Sequence, residues 1–306
     1  MTSNSRALPR RTPVGRISVL ARQMPVLVIV LALIATWYVA AVLMNLRGVR
    51  DRLERAETPY TIGELISGTL RAERPLLPAP HQILQTFADD IVGFPPTSAR
   101  SLVYHSWVTL SATFVGFVFG TLFGIALAVM IVQLRTLQKS LLPWIICSQM
   151  VPILAVAPIV IVVLGAVGIH GLLPKSLISA YLCFFPVTIG MVKGLNSADP
   201  VQRDLMRTWS ATAAQVLWKL RWPSSVPILF ASLKVAITIS LIGAIVAELP
   251  TGAQAGIGAR LLAGSYYGQT VQIWAALLAA SLLSAGLIGL VGAAERLVGR
   301  RMGARP

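Results

Sequence analysis

The chain has 306 residues, of which 56% are hydrophobic and 12% charged, with a formal net charge of +15 and a mean hydropathy of +0.75. Soluble globular domains carry about 25% charged residues, so this composition excludes one and indicates an integral membrane protein. The basic excess does not read as a nucleic-acid surface, because no basic stripe interleaved with aromatics occurs outside residues 218–222.

A spanning helix needs about 20 mostly apolar residues, and windows near 24–46, 106–132, 141–165, 176–195, 228–248 and 272–293 meet that need. They predict an all-α integral membrane protein with six transmembrane helices. The first window follows Arg6, Arg10, Arg11, Arg16 and Arg22, a pattern that a secretory signal also shows. Its run MPVLVIVLALIATWYVAAVLMNL exceeds the about 7–15 apolar residues of such a signal, so a retained helix is expected.

Basic residues stay on the cytoplasmic side of short loops. The N-terminus, the 133–140 loop, the 193–227 region and the C-terminus hold sixteen Lys and Arg against the acids Asp199, Asp204 and Glu295. The opposite loops are nearly neutral, with nine basic residues and eight acids. Residues 1–23 are therefore expected to be a basic cytoplasmic N-terminus, 24–46 the first helix, 47–105 an outer loop, 106–293 a five-helix core and 294–306 a cytoplasmic tail.

In the second helix, GFVFGTLFG sets Gly116, Gly120 and Gly124 four residues apart. That spacing puts them on one face, where a neighbouring backbone approaches closely. The third window, SQMVPILAVAPIVIVVLG, carries Pro152 and Pro158, which remove backbone hydrogen bonds that lipid cannot replace. Irregular backbone at that depth faces protein or a water-filled cavity, so Gln149, Met150, Pro152 and Pro158 are candidates for a translocation path. Glu248 closes the fifth helix just before Pro250 and Gly252. An acid there either caps a path or sits at headgroup level. Lys234, seven residues after Pro227, lies about 10 Å along the same helix and is expected to snorkel to the interface.

Between helices four and five, Asp199-Pro200 starts a short helix with an acid N-cap and a proline at the first position. Thr212 and Gln215 have capping-box spacing and launch a second one, with Leu217 on it. This second helix is expected to end near Trp222, because the residue before Pro223 is biased away from the α region, and Ser224 or Ser225 is then expected to cap the next span. The stretch WKLRWPSSVP reads as a short amphipathic helix outside the membrane, with aromatics at interface level and its cations Lys219 and Arg221 exposed. It is shaped to dock into a partner's groove.

Other chemistry is not in view. Cys147 and Cys183 lie in spans without a CxxC partner, and His81, His105 and His170 lack the spacing of a metal site, so no metal is expected. GLLPKS at 171–176 has neither the spacing nor the strand context of a phosphate loop, GIGAR at 256–260 is only part of a dinucleotide pattern, and no catalytic triad or HExxH is present. The chain is expected to be neither an ATPase by itself nor another enzyme.

DLMRTWSATAAQVLWKLRWPSSVP, residues 204–227, resembles the cytoplasmic loop signature of the six-helix permease subunits of binding-protein-dependent ATP-binding cassette importers. Asp204 stands at the signature's acid, Ser210 at its glycine, and Pro223 and Pro227 at its two prolines; Leu205 and Met206 replace its alanines. LLPAPHQIL at 76–84, VPILAVAPIVIVVLG at 151–165 and AELPTGAQAGIGARL at 247–261 are similar to the nitrate, sulfonate and taurine branch. The resemblance implies two permease copies forming a path, an ATPase dimer carrying ATP and magnesium, and a periplasmic or lipid-anchored binding protein, in a bacterial inner membrane with both termini cytoplasmic. It also implies a coupling loop at 196–227, in which Asp204 pairs with a cation of the ATPase and the 213–221 helix transmits its closure. SYYGQTVQIW at 265–274 is more similar to look-alikes serving pyrimidine-type vitamin precursors than to sulfonate, taurine or nitrate carriers. A secondary transporter, the rival reading, would more often show paired broken helices.

Overall fold

The computed structural model describes residues 19–57, 59–250 and 255–302, with side chains 19–23 and Arg135 excepted. Arg6, Arg10, Arg11, Arg16 and Gly252, named above, lie outside the described residues, as does the end of the tail. The described residues form helices and connecting turns, with no strand among them, and fall into two compact units, one ending at Pro80 and one beginning at His81.

In the first unit, α1 (Val19–Arg55) is an apolar helix long enough to cross a membrane. α2 (Ile62–Leu70) follows after a capping box in which the Thr61 hydroxyl accepts from the Glu64 amide and the Glu64 carboxylate accepts from the Thr61 amide. The buried Asn45 holds the irregular stretch after α2: its Oδ1 accepts from the Leu76 amide at 2.7 Å and its Nδ2 donates to the Leu77 carbonyl at 2.8 Å. Trp37 Nε1 adds a bond to the Pro78 carbonyl at 3.1 Å. A buried asparagine on an apolar helix is thereby satisfied by backbone.

The second unit opens with α3 (Pro80–Val92), so the segment expected as an outer loop is largely helical. Three long helices then make its centre: α4 (Leu102–Gln133), α7 (Leu172–Leu195) and α10 (Trp222–Ala247). Apolar burial does not drive association between helices in lipid, so close packing of small residues must. A Cβ on Gly116, Gly120 or Gly124 of α4 would lie 2.5 Å from Ser179 Cβ, 2.7 Å from the Ala180 carbonyl and 2.8 Å from the Phe184 carbonyl of α7. At the same contact, Ser179 Oγ and Ser240 Oγ of α10 are 2.6 Å apart, and Ser240 Oγ donates to the Thr113 carbonyl of α4 at 3.0 Å. Three helices are thus joined at one buried polar point.

Two expectations are corrected. The window at 141–165, expected as one span with irregular backbone at its prolines, is a sharply bent pair of shorter helices: α5 (Arg135–Ser148) and α6 (Ile153–Ala166) meet at 93°. Each is 14 residues long, about 21 Å, short of the roughly 30 Å hydrocarbon core. Five described helices are long enough to cross, six if the bent pair counts as one span. The break falls at Gln149–Pro152, where proline has no N–H to continue the ladder. Tyr181 of α7 donates its hydroxyl to the freed Ser148 carbonyl at 2.5 Å.

The second correction concerns the loop before α10. α8 (Pro200–Thr208) ends as expected near Trp209. α9 (Ala213–Val216), however, does not stop before Pro223. It passes through a π turn, Leu217–Arg221, directly into α10, giving one helix of 35 residues from Ala213 to Ala247. The wider π turn carries the Trp222 amide to the Leu217 carbonyl, five residues back, and relieves the clash that proline makes with the carbonyl four residues before it. Ser224 and Ser225 are therefore not caps. Their hydroxyls donate to the Leu220 and Trp222 carbonyls inside the helix. α11 (Ile257–Tyr266) and α12 (Thr270–Arg301) complete the unit.

Candidate functional site

The segment from α8 to the π turn is built by two local devices. At the start of α8, Asp199 accepts from the Val201 amide at 2.9 Å and Pro200 takes the first position. At its end the chain reverses in a Schellman turn: the Ser210 amide donates to the Arg207 carbonyl at 2.9 Å and the Ala211 amide to the Met206 carbonyl at 3.0 Å. That turn needs a left-handed residue at its hinge, and Ser210 supplies it at φ 52°. This is the position where the resemblance places the signature's glycine. Thr212 and Gln215 then form the capping box that starts α9, with the Gln215 Oε1 accepting from the Thr212 amide at 2.9 Å.

The segment has an anchored side and an open one. Leu217 is buried among Met191, Leu195 and Leu229, so it fixes the π turn to α7 and α10. Pro223 sits at the second position of α10, and Pro227 is inside it, on an exposed face. On the open side, Val201, Leu205, Trp209 and Trp218 are exposed large apolar side chains. Lys219 and Asp204 are exposed beside them, and Asp204 makes only a solvent-exposed contact with Arg207, at 3.4 Å. Exposed pairs of this kind contribute about 0–1 kcal/mol, so Asp204 is free to exchange partners.

Behind this face, Pro200, Arg203, Asp204, Arg207, Val216 and Arg221 line a concavity of about 240 Å³. Arg203 and Arg207 are residues that the sequence reading passed over. Their signal was i,i+4 spacing on one face of α8.

At the α5–α6 break, Gln149 and Pro152 occupy the turn and Met150 is exposed; Pro158 lies inside α6. The Gln149 side-chain nitrogen is buried with no hydrogen-bond partner among the described residues.

Glu248 has a different setting. It is 0% exposed and faces no open space. Its carboxylate accepts from Thr109 Oγ1 at 2.8 Å, from the Gly258 amide at 3.0 Å and, weakly, from Lys175 Nζ at 3.4 Å. Thr109 in turn accepts from the Ile257 amide at 2.8 Å, and Lys175 donates to the Ala255 carbonyl at 2.8 Å. His105 Nδ1 accepts from the Gly256 amide at 3.0 Å, so its Nε2 carries the proton and donates to the Ala99 carbonyl. Residues 255–258 are held by four such bonds against α4, α7 and the end of α10. Gly256 has φ 125°, and a Cβ there would overlap the Glu248 carboxyl; only glycine meets both demands. Close by, Arg260 pairs with Asp90 of α3 at 2.7 Å. Lys175, Thr109 and His105 were missed in the sequence. The signal was present: His105, Thr109 and Thr113 are four residues apart and lead, after a three-residue step, into Gly116, Gly120 and Gly124 on the same face of α4.

Lys234 does not simply snorkel. Its Nζ is 2.5 Å from Glu295 Oε2 of α12, and both side chains are about one-third exposed.

A family model described as binding-protein-dependent transport system inner membrane component matches residues 120–304. Among curated proteins, the chain is similar to a probable ABC transporter permease protein of Haemophilus influenzae, 31% identical over 60% of this chain and 72% of that protein. It is also similar to the formylaminopyrimidine transport permease protein ThiX of Halalkalibacterium halodurans, 29% identical over 63% of this chain and 72% of that protein. The riboflavin transport system permease protein RibX of Chloroflexus aurantiacus is 30% identical over 66% of this chain and 74% of that protein.

Proposed function

The chain belongs to the family of binding-protein-dependent transport system inner membrane components, and we propose that as such a permease subunit it couples to a separate ATPase through residues 199–222. The observation that carries this reading is the continuity of the 35-residue helix Ala213–Ala247. One end bears the open face with Trp218 and Lys219; the other ends on Glu248, which holds residues 255–258. A helix of that length spans about 52 Å, so a push on the open face reaches the opposite end of the bundle without crossing a flexible joint. Binding that favours one of two bundle states by a few kcal/mol is enough to shift their populations.

The open face supports an apolar docking contact through Val201, Leu205, Trp209 and Trp218, with Asp204 and Lys219 supplying charge. An ATPase dimer using ATP and magnesium meets it on the cytoplasmic side, where both termini lie, in a bacterial inner membrane. A second copy of this chain completes the path, and a soluble or lipid-anchored binding protein delivers substrate outside. Gln149, Met150, Pro152 and Pro158, at or near the α5–α6 break, line the route. The substrate class is a small polar heterocycle of the pyrimidine or vitamin-precursor type. One relative is named for formylaminopyrimidine and another for riboflavin, and Lys234 and Lys175 are already paired, with Glu295 and Glu248, so neither is an evident seat for a sulfonate.

The test is reconstitution of the chain with its ATPase and binding protein, followed by Asp204→Ala and Lys219→Ala. Loss of ATP-driven uptake of a radiolabelled aminopyrimidine, with the permease still inserted, is the expected result. Unchanged uptake and ATP hydrolysis in both variants would refute the assigned face, and uptake by the chain without any ATPase would make it a secondary transporter.

A further inference from the structure

The concavity between α8 and the π turn shares only Asp204 with the docking face, and its chemistry is lopsided. Three guanidiniums, from Arg203, Arg207 and Arg221, share about 240 Å³ with one carboxylate, that of Asp204. Asp204 reaches only Arg207, at 3.4 Å. Arg203 and Arg221 have no carboxylate partner among the described residues, and Arg221 Nε is buried with no acceptor among them. An unmet charged donor of this kind is costly, and like charges side by side add repulsion. Both costs vanish when an anion with several acceptor oxygens enters, since guanidinium forks match phosphate geometry.

Depth narrows the source. A hydrocarbon crossing of about 20 residues that ends at Ala247 starts near Ile228. Arg221 is seven residues earlier, about 10 Å outside that boundary. The headgroup layer is about 5–7 Å thick on each side, so the Arg221 side chain reaches it. Trp222, next to Arg221 and tilted at 40° against Trp218, is partly buried, and indoles favour the headgroup level.

We propose that this concavity, lined by Arg203, Arg207 and Arg221, is a binding site for the phosphodiester of an anionic phospholipid. A lipid held there ties the partner-facing segment to the membrane surface and sets its height. The site depends only on this chain, so it stands or falls separately from the ATPase reading above.

The test uses the full chain in a neutral detergent, with retention of phosphatidylglycerol, phosphatidylcholine and inorganic phosphate measured by native mass spectrometry. Wild type is expected to retain phosphatidylglycerol over phosphatidylcholine. Arg221→Gln is expected to weaken that retention roughly fivefold, and Arg203→Gln with Arg207→Gln by a further factor of that order or more. The exposed Arg207→Gln alone serves as the variant least able to disturb folding, with an expected loss of the same sign. Equal retention of both lipids by wild type, or retention unchanged in all variants, overturns the proposal. Binding of inorganic phosphate without phosphatidylglycerol overturns the lipid assignment. In the assembled complex, loss of the ATPase with no change in phosphatidylglycerol retention on making these variants would mean that the cavity takes a protein carboxylate instead, and also overturns it.

Discussion

The Thr109 hydroxyl and the Glu248 carboxylate, 139 positions apart in the chain, meet at 2.8 Å in a site from which solvent is excluded. Thr109 accepts from the Ile257 amide while it donates to Glu248. One hydroxyl therefore sets both the position of the acid and the path of the chain beyond α10.

Removing the acid leaves the Gly258 amide, the Thr109 hydroxyl and Lys175 without their acceptor. Glu248→Ala is expected to destabilise the protein by about 3–5 kcal/mol, the range for breaking a buried charge pair. Thr109→Val is expected to cost about 1–3 kcal/mol through the unmet Ile257 amide, and Thr109→Ser far less. Thermal unfolding in detergent ranks the three; an Ala variant as stable as wild type would show that the carboxylate holds nothing.

The glycine stripe of α4 predicts position-specific sensitivity. Gly120→Ala places a methyl 2.7 Å from the Ala180 carbonyl, and backbone must move, at about 1–3 kcal/mol. Gly286 and Gly289 of α12 have nothing within 4 Å, so alanine there is expected to be neutral, or favourable by up to about 1 kcal/mol of helix propensity. Melting temperatures of the three single variants compare the cases directly.

Ser210 holds a left-handed conformation at φ 52°, which costs an ordinary residue roughly 1–2 kcal/mol. Ser210→Gly is expected to recover about 1 kcal/mol locally, seen as slower hydrogen exchange of the Ser210 and Ala211 amides. Ser210→Val is expected to do the opposite, because a β-branched side chain is a poor fit there.

The π turn before Pro223 adds a residue to the helix. Pro223→Ala removes the steric reason for it, and a regular helix would rotate everything from Ala213 to Val216 by about 100°. Expression and insertion are expected to persist while uptake falls. The check is labelling of a cysteine placed at Trp218, which is exposed in the native turn and is expected to change its reactivity in the Pro223→Ala background.

Membrane segments were legible from composition because lipid demands long apolar runs, and the start of α8 and the capping box of α9 were legible because caps are local chemistry. The α5–α6 break was half-legible: Pro152 marked the place, but a 93° bend depends on what packs beside it, here Tyr181 on the Ser148 carbonyl. The end assigned to the coupling helix was misplaced because proline was weighed only by its bias against α, whereas a π turn accommodates it within a continuous helix.

The sequence by itself determined that this is a helical membrane protein, where its long apolar helices run, which face of α4 carries glycine, and which loop resembles the coupling element. Only the tertiary structure decided that Glu248 is a buried acceptor for three helices' worth of donors, that Lys234 finds Glu295, and that three arginines converge on one concavity. The physical reason is range. Hydropathy, periodicity and capping act over a few residues along the chain, whereas pairing of a charge or an orphan amide in lipid is settled by whichever partner, however distant in sequence, the packed helices bring within 3 Å.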